Sequence, residues 1–195
     1  MRKIGLFVLA LVIAIPAWAQ VRFPRVSQKA TVMQSVGLTD ITISYSRPGV
    51  KGRTIWGDLV PYDKVWRSGA NEATTINFSE DVWIDGKKLA KGTYSIHTVP
   101  GKSQWQVILN SVADQWGSYS YDQSKDVVRF NVTPQKAQFT EWLTYEFPDV
   151  QSDKATIALR WENVSVPFVV ETKTTEKVIA SVKNAMSNAW QTPYR

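Results

Sequence analysis

Residues 40–46 read DITISYS and alternate apolar with polar side chains. Ile41, Ile43 and Tyr45 fall on one side of an extended chain and the polar residues between them fall on the other, because side chains of a strand alternate between faces. This period of two is typical of a strand with one buried face. The segment therefore predicts a β-sheet protein.

The same alternation recurs in short segments along most of the chain. Asp85-Gly86 lies between two of these segments and predicts a tight hairpin, because both residues tolerate positive φ. The buried positions of the predicted strands are Ile76 and Phe78, Val82 and Ile84, Tyr94, Ile96 and Thr98, Trp105, Val107 and Leu109, Val128, Phe130 and Val132, Leu143, Tyr145 and Phe147, Ile157, Leu159 and Trp161, and Val164, Val166, Phe168 and Val170. Many short strands separated by turns predict an all-β fold, an antiparallel β-sandwich or jelly-roll-like domain, over residues 20–171.

Beyond Glu171 the apolar spacing changes to that of a helix. Val178, Val182, Ala185 and Met186, followed by Ala189, form one stripe. We therefore expect a C-terminal α-helix within residues 172–195. Its stripe is suited either to packing against the sandwich or to docking a protein partner.

The first residues have the features of a secretory signal. A positive start at Arg2 and Lys3 precedes an apolar stretch, and Ala17-Trp18-Ala19 is a small-x-small cleavage motif. Residues 1–19 are therefore predicted to be a signal peptide, and the protein to be exported to the periplasm or the extracellular space. The apolar stretch is too short for a spanning helix, so we expect no membrane span after cleavage.

Composition excludes several kinds of site. The chain of 195 residues contains no cysteine and one histidine, so disulfides, zinc–thiolate sites and multi-histidine metal sites are excluded. We expect no metal and no cofactor. The formal charge of +6 is spread along the chain without a run of basic residues, which does not favour nucleic-acid binding.

The segment from Tyr45 to Thr75 joins two predicted strands without the pattern of either a strand or a helix. Its apolar residues are numerous enough to fold it onto a core, and long ordered connections are often functional. We therefore place the candidate ligand site here. Its predicted residues are Arg47, Lys51, Arg53, Trp56, Trp66, Arg67, Asn71 and Glu72, with Trp116 from a later segment.

These side chains allow two interpretations. Guanidinium groups suit carboxylate or phosphate ligands, and indoles suit sugar rings. Alternatively, Arg53 lies on Trp56 and Arg67 on Trp66 in cation–π contacts that close the loop. Glu72 likewise is either a general acid or base of a glycan hydrolase, or a partner of Arg67 or Arg53 that pins the loop in place.

His97 offers no obvious catalytic constellation. Alternation places it on the opposite face of its strand from Tyr94 and Ile96. A serine triad would have to use it, yet the chain has no G-x-S-x-G motif. A structural role is therefore the favoured interpretation.

Several motifs resemble one protein family. They are Tyr45-Ser46-Arg47-Pro48, Lys51-Gly52-Arg53, Leu59-Val60-Pro61-Tyr62, Val65-Trp66-Arg67, Gly69-Ala70-Asn71-Glu72-Ala73-Thr74, Gly92-Thr93-Tyr94-Ser95, Pro100-Gly101, Gln115-Trp116-Gly117 and Trp161-Glu162-Asn163. In this order they resemble the secreted bacterial family called domain of unknown function 2911 (DUF2911), over roughly residues 24–171. The resemblance implies an exported, β-rich bacterial protein and names no activity.

The sequence leaves three functions open. The favoured one is a non-catalytic binding module of the cell envelope for a small anionic or carbohydrate ligand. The second is a glycan-directed hydrolase using Glu72. The third is an interaction module that docks a protein through the C-terminal helix.

Overall fold

The computed structural model describes residues 23–190 of the chain. It has ten strands, a 3₁₀ turn at Gln123–Lys125 and one helix. The strands are β1 (Gln28–Val36), β2 (Thr39–Arg47), β3 (Thr74–Phe78), β4 (Val82–Ile84), β5 (Lys87–Leu89), β6 (Gly92–Val99), β7 (Trp105–Asn110), β8 (Asp126–Val132), β9 (Gln135–Val150) and β10 (Lys154–Glu171), and the helix is α1 (Thr174–Trp190).

The strands form two antiparallel sheets. One has six strands in the order β1-β2-β3-β6-β7-β8, and the other has four in the order β5-β4-β10-β9. After β3 the chain crosses to the four-stranded sheet, where it forms the β4–β5 hairpin. It then returns to the six-stranded sheet as β6, which pairs with β3. The predicted all-β fold with a C-terminal helix is confirmed.

The core lies between the two sheets. Ile43 and Ile76 of the six-stranded sheet belong to the same buried cluster as Leu143 and Ile157 of the four-stranded sheet. The rings of Tyr45 and Tyr145 meet edge to face, with centroids 4.9 Å apart, across this interior. Residues of the predicted alternating face therefore supply the packing that holds the sheets together.

Two predicted strands are in fact one. The sequence predicts one strand through Trp161 and another from Val164, whereas β10 runs unbroken from Lys154 to Glu171. Its pairing with β9 shifts register around Glu162, whose φ is 56°. The apolar positions change from odd to even numbers at this point, which is what an extra residue in a β-bulge does to an alternating pattern.

The hairpin between β4 and β5 has the predicted turn. Asp85 and Gly86 have φ of 51° and 72°, and they directly connect the two paired strands. Positive φ at both central residues is the geometry of a type I′ turn, which suits the twist of a hairpin.

A second glycine turn supports the start of the helix. Gly37, with φ of 59°, lies between β1 and β2. A Cβ built on Gly37 would collide with Thr174 Oγ1. The hydroxyl of Thr174 also lies 2.8 Å from that of Thr172, which hydrogen bonds to the carbonyl of Asp153. The β1–β2 turn and the first residue of α1 are thus in direct contact.

The predicted signal peptide lies in residues 1–19, outside the described part of the chain, and export stays a prediction. Among the described residues, no helix combines the length and apolar character needed to cross a membrane.

The two glycine turns give a matched pair of substitutions. Gly37→Ala and Gly86→Ala both place a side chain at positive φ, which costs about 1 kcal/mol. Only Gly37→Ala also drives a methyl group into Thr174, whereas no atom lies within 4 Å of the corresponding position at Gly86. We expect Gly37→Ala to lower the free energy of unfolding by about 1–3 kcal/mol more than Gly86→Ala, measured by urea denaturation. Equal losses would mean that α1 moves freely away from the turn.

Candidate functional site

The long connection, residues 48–73, joins β2 to β3 and is folded onto the core. Its Ile55 and Val60 are fully buried. Trp66 pairs with Thr98 of β6 through two backbone hydrogen bonds of 2.8 Å. The prediction of a packed rather than disordered connection is therefore confirmed.

Four indoles anchor this connection. The Trp56 ring meets those of Trp66, Trp105 and Trp161 edge to face at centroid distances of 5.8, 4.8 and 5.7 Å. Trp66 in turn stacks on Trp161 at 5.9 Å. Trp56 is thus surrounded by other side chains, so its ring serves the core and not the predicted ligand site.

A cavity of about 260 Å³ opens between the connection and the residues that precede β1. We call it the basic cavity. It is lined by Val26, Ser27, Pro48, Gly49, Lys51, Arg53, Leu59, Val60, Trp66, Arg67, Gly69, Ala70 and Trp161. This lining has three cationic residues and, among the described residues, no carboxylate. It brings together four of the predicted site residues, Lys51, Arg53, Trp66 and Arg67.

Two cations of the basic cavity differ in how firmly they are held. Arg53 donates from Nε to the carbonyl of Val50 at 3.1 Å and from Nη2 to the carbonyl of Gly49 at 2.6 Å. Its Nη1 has no acceptor within the described part of the chain. The ammonium of Lys51 lies 5.8 Å from the centroid of the Trp142 ring and is otherwise exposed.

Arg67 lies between the basic cavity and a neighbouring turn. It lines the cavity, and a Cβ built on Gly117 would be 3.7 Å from its Nη1. Its Nε is buried without a hydrogen-bond partner among residues 23–190. Burial lowers the pKa of the Arg67 guanidinium from its usual value. Arg67 is therefore a partly desolvated cation with donor capacity to spare.

The alternative in which arginines close the loop on tryptophans is wrong. In the described residues the cation–π contacts come from lysines, with Lys51 over Trp142 and both Lys88 and Lys173 over Trp83. Arg53 binds backbone carbonyls and does not cover Trp56.

Arg47 does not belong to the basic cavity. It is the last residue of β2, and its guanidinium donates to the carbonyl of Leu143 at 2.9 Å and to Thr144 Oγ1 at 2.6 Å, both in β9. Because β2 and β9 belong to different sheets, Arg47 ties the two sheets together. Its position corrects the prediction that it offers its guanidinium to a ligand.

We expect Arg47→Met to lower the free energy of unfolding by about 2 kcal/mol, because two charge-assisted hydrogen bonds are lost and the Leu143 carbonyl loses its donor. Lys136→Met is the control, because Lys136 is an exposed residue of the same β9; we expect it to change stability by less than about 0.5 kcal/mol. Chemical denaturation measures both. If Arg47→Met left the free energy of unfolding unchanged, the inference that Arg47 holds the two sheets together would be wrong.

Asn71, Glu72 and Trp116 lie together, outside the basic cavity. The Asn71 amide donates to the carbonyl of Ser27 at 3.0 Å, and Glu72 forms an isolated β-bridge with Trp116. Trp116 is 57% exposed. These residues therefore position the chain before β1 and a surface indole.

Glu72 is paired with Arg25, not with Arg67 or Arg53 as the sequence suggested. Arg25 Nη1 lies 2.6 and 2.7 Å from the two carboxylate oxygens. This hydrogen bonding holds the pKa of Glu72 below its usual value. A general acid at neutral pH needs a raised pKa, so this environment does not favour the hydrolase role.

His97 is fully buried beneath residues 111–122, which cover the outer face of β6. Its Nδ1 lies 3.1 Å from Ser118 Oγ, and its ring meets that of Tyr121 at 5.1 Å. Burial lowers its pKa from 6.5 to about 4, against the opposing charge of Asp126. Nε2 has no partner among the described residues. These contacts agree with the structural role favoured by the sequence.

The pKa of His97 makes the fold sensitive to acid. The unfolded chain takes up a proton near pH 6.5 and the folded protein only near pH 4, so stability falls as the pH falls between those values. We expect the wild type to lose on the order of 2 kcal/mol more than His97→Phe between pH 7 and about pH 4.5. Urea denaturation at both pH values measures this difference. Equal losses in the two proteins would show that the pKa of His97 does not differ between the folded and unfolded states.

The helix α1 leaves its apolar stripe uncovered in the described part of the chain. Val178, Val182 and Met186 are 42%, 52% and 57% exposed. The stripe therefore does not pack into the sandwich, which was the first of its two predicted uses. Docking of a protein partner stays a prediction.

Within residues 23–190, no three His, Cys, Asp or Glu side chains lie close enough to hold a metal ion.

The sequence matches a known protein family. A model of the family described as "Protein of unknown function (DUF2911)" matches residues 27–170. The chain belongs to the DUF2911 family. The match extends from the start of β1 nearly to the end of β10 and includes the long connection, so the resemblance seen in the motifs is confirmed. No curated protein and no solved structure gives a significant match.

One of the family motifs contains Trp116, the predicted site residue that comes from a later segment. Gln115-Trp116-Gly117 belongs to the segment that covers β6 and contacts the connection through the bridge between Glu72 and Trp116. Arg25, which holds Glu72, lies outside the matched range and carried no signal in the sequence. Its role is visible only once the chain has folded.

Proposed function

We propose that this member of the DUF2911 family is a non-catalytic binding module that holds a small anionic ligand in the basic cavity. One observation carries the proposal: Lys51, Arg53 and Arg67 line a cavity of about 260 Å³ whose described lining has no carboxylate. Three positive charges in a lining that contains no carboxylate attract an anion and disfavour a cation.

The walls of the cavity strengthen this attraction. The stacked indoles of Trp66 and Trp161 form part of the lining and give the cavity an apolar wall. Charge–charge interactions are stronger where water is excluded. The Nη1 of Arg53, which has no acceptor within residues 23–190, and the exposed ammonium group of Lys51 are the donors suited to a carboxylate or phosphate oxygen.

The size of the cavity restricts the ligand. A volume of about 260 Å³ is at or below the lower end of typical ligand pockets, which begin at about 300 Å³. A compact anion such as inorganic phosphate or a single sugar acid fits this limit, and the indoles are suited to the apolar face of a sugar ring. Exported proteins meet such anions in the cell envelope, which is consistent with the predicted signal peptide.

Isothermal titration calorimetry with glucuronate and with inorganic phosphate tests the proposal. Lys51→Met should weaken binding about tenfold or more, because one charge-assisted hydrogen bond is lost while the exposed position costs little stability. Lys102→Met is the control, because Lys102 is exposed and does not line the cavity. Arg67→Met should weaken binding similarly.

The affinity for either anion should also fall as salt is added, because exposed parts of the site are screened. The proposal fails if neither anion binds saturably to the wild type. It fails equally if Lys102→Met weakens binding as much as Lys51→Met, since the attraction would then come from overall charge.

A further inference from the structure

A second cavity, of about 250 Å³, lies on the outer face of the six-stranded sheet. We call it the outer-face cleft. No residue lines both this cleft and the basic cavity. Its floor includes Ser44 and Ser46 of β2 and Thr75 of β3, whose neighbours in sequence, such as Ile43 and Ile76, point into the core. The alternation of the strands thus places three hydroxyl groups on the outer face of the sheet. Ser44 and Thr75 are partly exposed cross-strand partners, and Ser46 is buried.

The walls of the cleft carry mixed polar groups. Lys29, Glu72, Asp114 and Gln115 line it. One cation and two carboxylates give no net attraction for an anion, and Glu72 is already engaged by Arg25. The cleft therefore differs from the basic cavity in the chemistry it can bind, and its groups suit a neutral ligand with both donors and acceptors.

Part of this hydrogen-bonding capacity is unused within the described residues. Ser44 Oγ lies 3.1 Å from Thr31 Oγ1, but the hydroxyls of Ser46 and Thr75 have no side-chain partner there. The amide of Gln115 donates to Ser95 Oγ and to the carbonyl of Val112, which fixes its orientation. Its Oε1 is left without a donor.

One exposed aromatic residue stands beside the cleft. Trp116 follows Gln115 directly, is bridged to Glu72, and is 57% exposed. A large aromatic side chain exposed beside a polar cavity is typical of a contact site, because its apolar ring face is removed from water when a ligand covers it.

We infer that the outer-face cleft is a binding site for a neutral sugar unit. A pyranose ring presents hydroxyl groups that both donate and accept at its edge and an apolar C–H face. The hydroxyl floor, Gln115 and Asp114 match the edge, and Trp116 matches the face. The inference is independent of the anion site and adds a second ligand class to the protein.

Titrations of ¹⁵N-labelled protein with the methyl glycosides of glucose, galactose and mannose, followed by amide chemical shifts, test this inference. At least one glycoside should shift the amides around Ser46, Thr75 and Gln115 saturably. Thr75→Val keeps the shape and the strand preference of the residue but removes its hydroxyl, and we expect it to weaken binding about three- to tenfold. Thr42→Val, on the same outer face but away from the cleft, is the control and should leave the affinity unchanged.

A second variant guards against an effect on folding. Gln115→Met removes the unpartnered oxygen and should weaken binding by a similar factor, with far-UV circular dichroism confirming the fold. Lys51→Met should leave glycoside binding unchanged, which separates this cleft from the anion site. The inference is overturned if no glycoside binds saturably, if the shifts scatter over the surface, or if Thr42→Val weakens binding as much as Thr75→Val.

Discussion

The contact of Trp56 with three other indoles is the interaction on which the candidate site depends. The long connection lacks regular secondary structure, and ordering it costs conformational entropy that the packing of its side chains helps to offset. An indole that buries about 200 Å² contributes about 5 kcal/mol of hydrophobic free energy. Trp56 and Trp66 supply that free energy against Trp105 and Trp161 of the two sheets. The basic cavity exists because this cluster holds the connection in one shape.

Cationic residues of similar appearance in the sequence have different roles in the fold. Arg47 joins the two sheets, and Arg53 uses two of its nitrogens to hold the backbone of its own turn. Lys51 and Arg67 have fewer internal partners. One short segment is therefore both a structural element and a charged surface. Arg47 and Arg53 bind carbonyl groups and fix the backbone, and this backbone positions the charges of Lys51 and Arg67.

The fold was largely predictable, and the site only in part. Strong alternation, as in residues 40–46, and the turn at Asp85-Gly86 predicted the strands, because burial of one face and positive φ are local constraints. The sequence did not predict that β10 continues through Glu162, because the bulge shifts the alternation of apolar residues and makes one strand look like two. The cations and indoles of the connection suggested a candidate site there, and Lys51, Arg53 and Arg67 do line one cavity. The partners of Arg47 and Glu72 did not follow, because Leu143 and Arg25 are remote in sequence and meet them only in the folded protein.

The chain that precedes β1 has a practical consequence for handling the protein. Val26 and Ser27 line the basic cavity. Arg25 hydrogen bonds to Glu72, which lines the outer-face cleft. The Asn71 amide donates to the carbonyl of Ser27. A purification tag or fusion partner joined shortly before Phe23 would therefore emerge beside both cavities and compete with whatever enters them. For ligand screens an affinity tag is therefore better joined to the C-terminal end of the chain, after α1.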